Sequence, residues 1–264
     1  YQSYLPSLVS RDALVEGNSK LEVSRAIAQI SGPGIAGILV KILTAPITIV
    51  LDAVSFLISA LFLWRVQTPE PVPEPRTMGS HIGREMVEGL RVVLGNPLLR
   101  SIAACTATSN LFSMMQFAVM ILFLRRELHL DEGIIGLIYA IGSIGGLVGA
   151  VFTNRIAQAL GVGRTIIGSA MVAGMAASLI PLASSGELSS VVLLIAAQMI
   201  GGCGFVIYNV NQVSLRQAIT PDRLQGRMNA SMRFIVWGTI PIGSLIGGYL
   251  GDHIGLRSTL WVSA

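Results

Sequence analysis

Asp52 sits about seven residues into an otherwise uncharged apolar stretch. A carboxylate at that depth in lipid costs several kcal/mol unless it is neutral, paired or hydrated. Two readings follow: an acid that binds and releases a proton inside the membrane, or a structural group bonded to a neighbouring helix or to Ser55, one turn later. Two stripes of uncharged polar residues add to it. Thr106, Asn110, Ser113 and Gln116 recur at steps of four, three and three, and Gln198, Asn209 and Gln212 share one face of a second helix with the ring of Phe205, with Gly201 and Gly202 between Gln198 and Phe205. Amide and hydroxyl groups turned to lipid would forfeit their hydrogen bonds. The stripes therefore face protein, as bonds between helices, or a wet cavity that takes a polar, uncharged or weakly charged ligand. Tyr139 and Trp237 stand where they could add aromatic contacts or pack in a core.

Other chemistry is not supported by these residues. His81, His129 and His253 are scattered, and the acids fall mostly outside the apolar runs. Catalysis wants acids, bases or metal ligands gathered at one place, so neither an enzyme nor a metal or cofactor site is expected. Cys105 and Cys203 are isolated within apolar runs and make no disulfide framework. No Gly-rich phosphate loop occurs, which argues against nucleotide-driven work.

The elements that must hold these residues are membrane helices. The chain has 264 residues, 52% hydrophobic and 12% charged, where soluble domains carry roughly a quarter charged residues. The charges gather in bands, and between them lie charge-free runs at 101–124, 133–154, 165–186, 188–215 and 234–251. Each meets or approaches the roughly 20 residues a helix needs to cross the hydrocarbon core. Earlier spans are read at 23–40 and 45–64, and another begins near Ser258. Nothing alternates like barrel strands, and open sheet edges cannot face lipid. The fold class is thus all-α: a polytopic transmembrane helix bundle of about seven full spans plus the start of an eighth.

If the chain changes sides at each span, of its 18 basic residues only Lys41, Arg125, Arg126 and Arg257 fall opposite the rest. The positive-inside rule makes the richer side cytoplasmic. The net charge of +4 then reflects topology, and no basic cluster interleaved with aromatics points to nucleic acid. No signal peptide is visible and the first residue is Tyr1, so a fragment of a longer chain is expected.

Residues 66–97 form the one long polar stretch, expected on the cytoplasmic side. A Pro-rich segment, 69–75, favours an extended linker. An amphipathic helix follows, with Ile82, Met86, Leu90, Val93 and Leu94 on its apolar face and Arg84, Glu85, Glu88 and Arg91 on the wet one. The chain thereby divides into 1–65, the linker 66–97 and 98–264. An internal repeat agrees: Asp12, Leu14, Asn18, Gly32 and Gly37 are echoed 210 or 211 residues later by Asp222, Leu224, Asn229, Gly243 and Gly248. Duplicated helical halves of this sort are common in secondary transporters. Gly142, Gly146 and Gly149, and Gly243, Gly247 and Gly251, are spaced for close helix contact. Glu22 and Arg25, with Arg227 and Arg233, mark helix ends, either as gate ion pairs or as topology anchors.

Several of these runs resemble the major facilitator superfamily: Leu5-Pro-Ser-Leu-Val9, Asn18, Gly32-Pro-Gly-Ile-Ala-Gly37, Leu51-Asp-Ala-Val-Ser-Phe56 and Glu88-Gly-Leu-Arg91. Within it the likeness is to the bacterial efflux branch of drug pumps and enterobactin-type siderophore exporters. The resemblance implies a parent of twelve helices of which this chain covers the fifth to eleventh and the start of the twelfth. It implies export of small amphipathic solutes across the bacterial cytoplasmic membrane, by alternating access and proton antiport, with a small-molecule substrate, protons and the lipid bilayer as partners and a monomer as the unit; the residues alone leave a non-transporting membrane scaffold or sensor, and less readily a membrane-embedded transferase, as alternatives. Gly32, Pro33 and Gly37 resemble the fifth-helix motif of proton-coupled exporters. Arg155, Gly163 and Arg164 resemble a cytoplasmic loop motif, with Asn154 where the family usually has Asp. On this reading Asp52 is the candidate for proton coupling, and Asn110, Ser113, Gln116, Gln198, Asn209 and Gln212 are candidates for lining the substrate cavity.

Overall fold

The computed structural model describes residues 13–43, 45–65, 82–185 and 188–264, together with Leu5 and Val9. The expected Pro-rich linker, 69–75, lies outside the described residues. Among those described there is no strand, and ten α-helices follow in order: α1 (Leu14–Leu43), α2 (Ala45–Trp64), α3 (Ile82–Gly95), α4 (Pro97–Leu122), α5 (Glu132–Leu160), α6 (Val162–Leu179), α7 (Leu188–Ile219), α8 (Gln225–Trp237), α9 (Thr239–His253) and α10 (Leu256–Ser263). Among the described residues five stretches are long and apolar enough to cross a membrane: Pro97–Glu127, Gly133–Leu160, Val162–Leu182, Leu188–Ile219 and Asp222–His253. The apolar part of α2, Pro46–Phe62, is shorter. Its side chains stand almost entirely exposed, Trp64 at 85% and Ile49 at 69%.

α7 is the central post. It packs along α5 on one side and α6 on the other, while α1 lies antiparallel in the groove between α5 and α7. α4 pairs with α9 and carries α10 and α8 beside it. The α5–α7 crossing is close because glycines face it: a methyl group added at Gly142 would overlap the Gln198 side chain, at Gly145 the Met199 carbonyl, and at Gly149 it would lie 2.6 Å from the Cys203 carbonyl. Gly145, rather than the expected Gly146, makes the closest approach. α9 crosses α4 in the same way, with Gly243 against the Leu111 carbonyl and Gly247 against that of Met115. Without a water-driven force between helices in lipid, such backbone proximity is what makes the contact favourable.

Two apolar cores bracket the bundle. At the end that carries α3, Val93 joins Leu99, Ile102, Ala103, Met228 and Met232. This docks α3 onto α4 and α8, Gly89 nesting against the Arg227 backbone while Glu88 pairs with Arg227. The apolar face of α3 is therefore centred on Gly89 and Val93, and Leu94, expected on it, is 51% exposed. At the far end, Phe123, Leu124, Leu128, Ile138, Ile180, Leu194 and Leu260 form a second core. There α4 closes in a π-helical turn, Phe123–Glu127, whose carboxylate at Glu127 accepts from Arg257 Nε at 3.2 Å and from the Arg257 backbone N–H at 3.3 Å. Arg257 also donates to the Pro181 carbonyl at 2.7 Å and lies 5.2 Å over the Phe123 ring. One guanidinium thus ties the ends of α4, α6 and α10 together.

Candidate functional site

α1 begins at the α3 end of the bundle and meets α7 and α5 there through hydrogen bonds. Asn18, buried at 7%, donates to Gln217 Oε1 at 2.8 Å and Ser214 Oγ at 3.1 Å on α7, and to its own Leu14 carbonyl at 2.9 Å. Ser19 donates to the Ala150 carbonyl on α5. The acceptors are themselves buried, Gln217 at 1% and Ser214 at 2%. A seam of this kind holds α1 by a few directional bonds, each worth on the order of 0.6 kcal/mol in a membrane. Its repeat counterpart Asn229 on α8 is also buried, at 5%.

One to two turns further along α1 the seam gives way to a cavity of about 300 Å³ between α1, α5 and α7, lined by Glu22, Arg25, Tyr139, Ser143, Gln198 and Phe205, with glycines and Val206 behind them. Val23, next to Glu22, packs with Ala150, Val206 and Val210. Val206 lies close to the midpoint of α7, so Glu22 and Arg25 are at mid-depth of their neighbours and not at the helix end where their sequence position had put them. The reason is the antiparallel offset: α1 rises about 1.5 Å per residue from Leu14, which the Ser214 hydroxyl holds well inside the end of α7. Glu22 and Arg25 pair with each other at 3.7 Å, the carboxylate side chain 13% and the guanidinium side chain 50% exposed.

The expected polar stripes divide. On α4, Thr106 shares a hydrogen bond of 2.7 Å with the Tyr208 hydroxyl on α7. Asn110 faces the junction of α8 and α9, donating to the Val236 carbonyl at 2.8 Å and to Thr239 Oγ1 at 3.0 Å. The helix is interrupted there at Gly238 because Pro241 has no N–H for the Trp237 carbonyl and its ring crowds that oxygen. Thr239 Oγ1 bonds the same Val236 carbonyl at 2.6 Å, so Asn110 secures a break. Ser113 and Gln116 do line a hollow, of about 230 Å³, with Ser109, Phe112, Phe205 and Tyr208 around them and Ser263 and Ala264 at its edge. On α7, Gln198 and Phe205 reach the first cavity. Gln212 is buried at 2%, donates to Asn209 Oδ1 at 3.1 Å, and keeps its own Oε1 without a partner among the described residues. Phe205 borders both hollows and is 57% exposed.

Asp52 lies apart from this set. It is exposed on α2, whose main packing partner among the described residues is α1, and Ser55 Oγ donates at 2.7 Å to its backbone carbonyl rather than to its carboxylate. Gly32, Pro33 and Gly37 fall within α1, their side-chain surroundings outside the described residues. The expected loop from Asn154 to Arg164 is mostly helix: α5 continues to Leu160, and Gly161 alone, at φ +82°, makes the turn into α6. That left-handed backbone is one glycine adopts at no steric cost. Arg155 rests on Phe152 at 5.7 Å, and Gly163 and the exposed Arg164 open α6.

Among the described residues, a helical bundle with several membrane-length spans, glycine-packed crossings, a proline-interrupted helix and polar residues lining hollows midway along their neighbours has the make-up of a solute transporter. The family model described as a transmembrane secretion effector matches residues 1–264, and the chain belongs to that family, within the major facilitator superfamily. It is 25% identical over 98% of its length to the multidrug efflux pump Tap of Mycolicibacterium fortuitum, covering 62% of that protein. It is 25% identical, again over 98% of its length, to the enterobactin exporter EntS of Escherichia coli, covering 59% of it. The chain thus spans about three fifths of the length of these relatives. A solved bacterial homologue of the iron transporter ferroportin, in an outward-facing state, shares the fold with a TM-score of 0.72 at 20% identity, over 98% of this chain and 62% of that one.

Proposed function

We propose that the full-length protein exports small amphipathic solutes of the drug or siderophore class across the bacterial cytoplasmic membrane, exchanging them for protons by alternating access. The observation that carries this reading is the joint between α1 and the α5–α7 pair: a hydrogen-bonded seam at Asn18 and Ser19 leads directly to a half-open cavity of mixed polar and apolar lining at Glu22 and Arg25. A joint closed at one end by a few polar contacts, each worth on the order of 0.6 kcal/mol, can part there at modest cost. The names of the relatives, a multidrug efflux pump and an enterobactin exporter, support outward movement of small solutes.

On this reading residues 1–65 end one helical half, 66–97 link the halves on the cytoplasmic side, 98–264 begin the other, and the unit is a monomer. Gln198 contacts the solute, with Ser113 and Gln116 as the reserve set. Asn209 and Gln212 extend its wall, and Asn110 supports that wall by fixing the α8–α9 break. Gly32, Pro33 and Gly37 shape the α1 hinge, Arg155, Gly163 and Arg164 the turn at the cytoplasmic surface. Asp52 is the acid proposed to carry the proton, since an ionisable group in a membrane helix is costly without a task. Proton-driven efflux from vesicles holding the full-length protein tests the reading. Efflux that dissipates with the pH gradient is expected, flattened in its pH dependence by Asp52→Asn. Unaltered dependence in that variant removes Asp52 from coupling, and no efflux of any solute in a broad panel contradicts export.

A further inference from the structure

The cavity beside α1 contains two charges of opposite sign and, among the described residues lining it, no other charged side chain. Glu22 and Arg25 are three residues apart on one helix and 3.7 Å apart in space, so the site has no net charge. The pair is not a buried structural bridge of the usual kind. Its separation is long for a charge-assisted hydrogen bond, and half of the Arg25 side chain remains exposed. The rest of the wall offers Tyr139, Ser143, Gln198 and the Phe205 ring. Ser143 already donates to its own helix at the Ala140 carbonyl, 2.7 Å away, which leaves its oxygen an acceptor.

We infer that the Glu22–Arg25 pair is the charge filter of this cavity, tuning it to electrically neutral amphipaths, uncharged or zwitterionic, that carry an aromatic or apolar body. The inference rests on the cavity being the solute site of the proposed exporter. The physical reason is the cost of leaving a charge uncompensated between membrane helices, here midway along α5 and α7. A lone anion drawn to Arg25 leaves Glu22 unpaired, and a lone cation drawn to Glu22 displaces Arg25. A neutral ligand leaves the pair intact, and a zwitterion can lie antiparallel to it. The same ligand finds hydrogen-bonding groups at Gln198, Tyr139 and Ser143 and a ring to stack on at Phe205. The volume, about 300 Å³, is at the lower bound for small-molecule pockets.

The test is binding of three fluorescent probes with one naphthyl body and a carboxamide, a carboxylate or an aminomethyl group, to the full-length protein purified in detergent. The wild type is expected to bind the carboxamide about tenfold more tightly than either charged probe. Glu22→Gln gives the site a net positive charge and should bring the carboxylate to the front. Arg25→Gln should do the same for the ammonium probe. Exchange of the two, Glu22→Arg with Arg25→Glu, restores neutrality and should restore preference for the carboxamide, a rescue that a merely structural ion pair does not predict for ligand choice. An order of preference unchanged across the variants, each shown to be folded by size-exclusion chromatography, overturns the filter while leaving the cavity as solute site. Absence of binding by all three probes to the wild type overturns the cavity reading and the filter with it.

Discussion

Replacing Asn18 by Ala removes the seam between α1 and α7 at its most connected point. Two interhelical bonds disappear, to Ser214 Oγ and Gln217 Oε1, each worth about 0.6 kcal/mol on average and up to about 1.7 in membrane proteins. The loss is therefore about 1–3 kcal/mol. It acts on the conformational equilibrium only so far as the bonds are made in one state and broken in the other, which the account requires. The population open at this end should then rise between about 5- and 150-fold. Spin labels at Glu16→Cys and Arg223→Cys, both exposed positions at this end, report the separation by pulsed electron resonance once Cys105 and Cys203 are replaced by Ser. A double-mutant cycle with Gln217→Ala isolates the pairwise contribution. An open population within twofold of wild type refutes the idea that the seam closes the joint.

Further expectations concern packing and the two ends. Gly145→Ala forces a methyl group into the Met199 carbonyl and should cost about 1–3 kcal/mol, seen as a lower midpoint in thermal unfolding in detergent, whereas Gly146→Ala, with only Val206 at 3.5 Å, should be tolerated. Arg257→Ala removes the tie to Glu127, Pro181 and Phe123 and should lower the midpoint by an amount equivalent to about 1–2 kcal/mol, with solute binding unchanged. Asn110→Leu strips the Val236 carbonyl and Thr239 of a shared donor; hydrogen exchange at Trp237 to Ile240 should rise about tenfold, matching about 1.4 kcal/mol.

The spans were legible from charge bands because charges are excluded from lipid, and those at 133–154 and 188–215 sit inside α5 and α7; the helix ends were not, since α5 runs on to Leu160 and α1 starts at Leu14. What a helix faces was less legible. Thr106 and Asn110 share a stripe by spacing, yet one meets Tyr208 and the other a helix break, since spacing fixes a face and only tertiary packing fixes its neighbour. By sequence Glu22 and Arg25 mark a helix end, as gate ion pairs or as topology anchors, because they precede the apolar run of α1. Their true depth depends on the offset of α1 against α7, which is set by contacts between residues 196 and 199 positions apart. The signal that would have found them is a carboxylate and a guanidinium at helical spacing on the face carried on from Asn18, which the internal repeat had already singled out. Ser19, with its bond to the Ala150 carbonyl, gave no signal at all, because a lone serine near a helix start is commonplace.

The claim that the cavity between α1, α5 and α7 is presented in turn to the two sides of the membrane is tested most directly by the accessibility of Gln198, which lines that cavity. With Gln198→Cys as the sole thiol in the full-length protein, a membrane-impermeant maleimide applied to right-side-out and to inside-out vesicles should label it from both sides, with the balance shifted by a transported solute. Labelling from one side only, whatever the solute or pH gradient, contradicts the account.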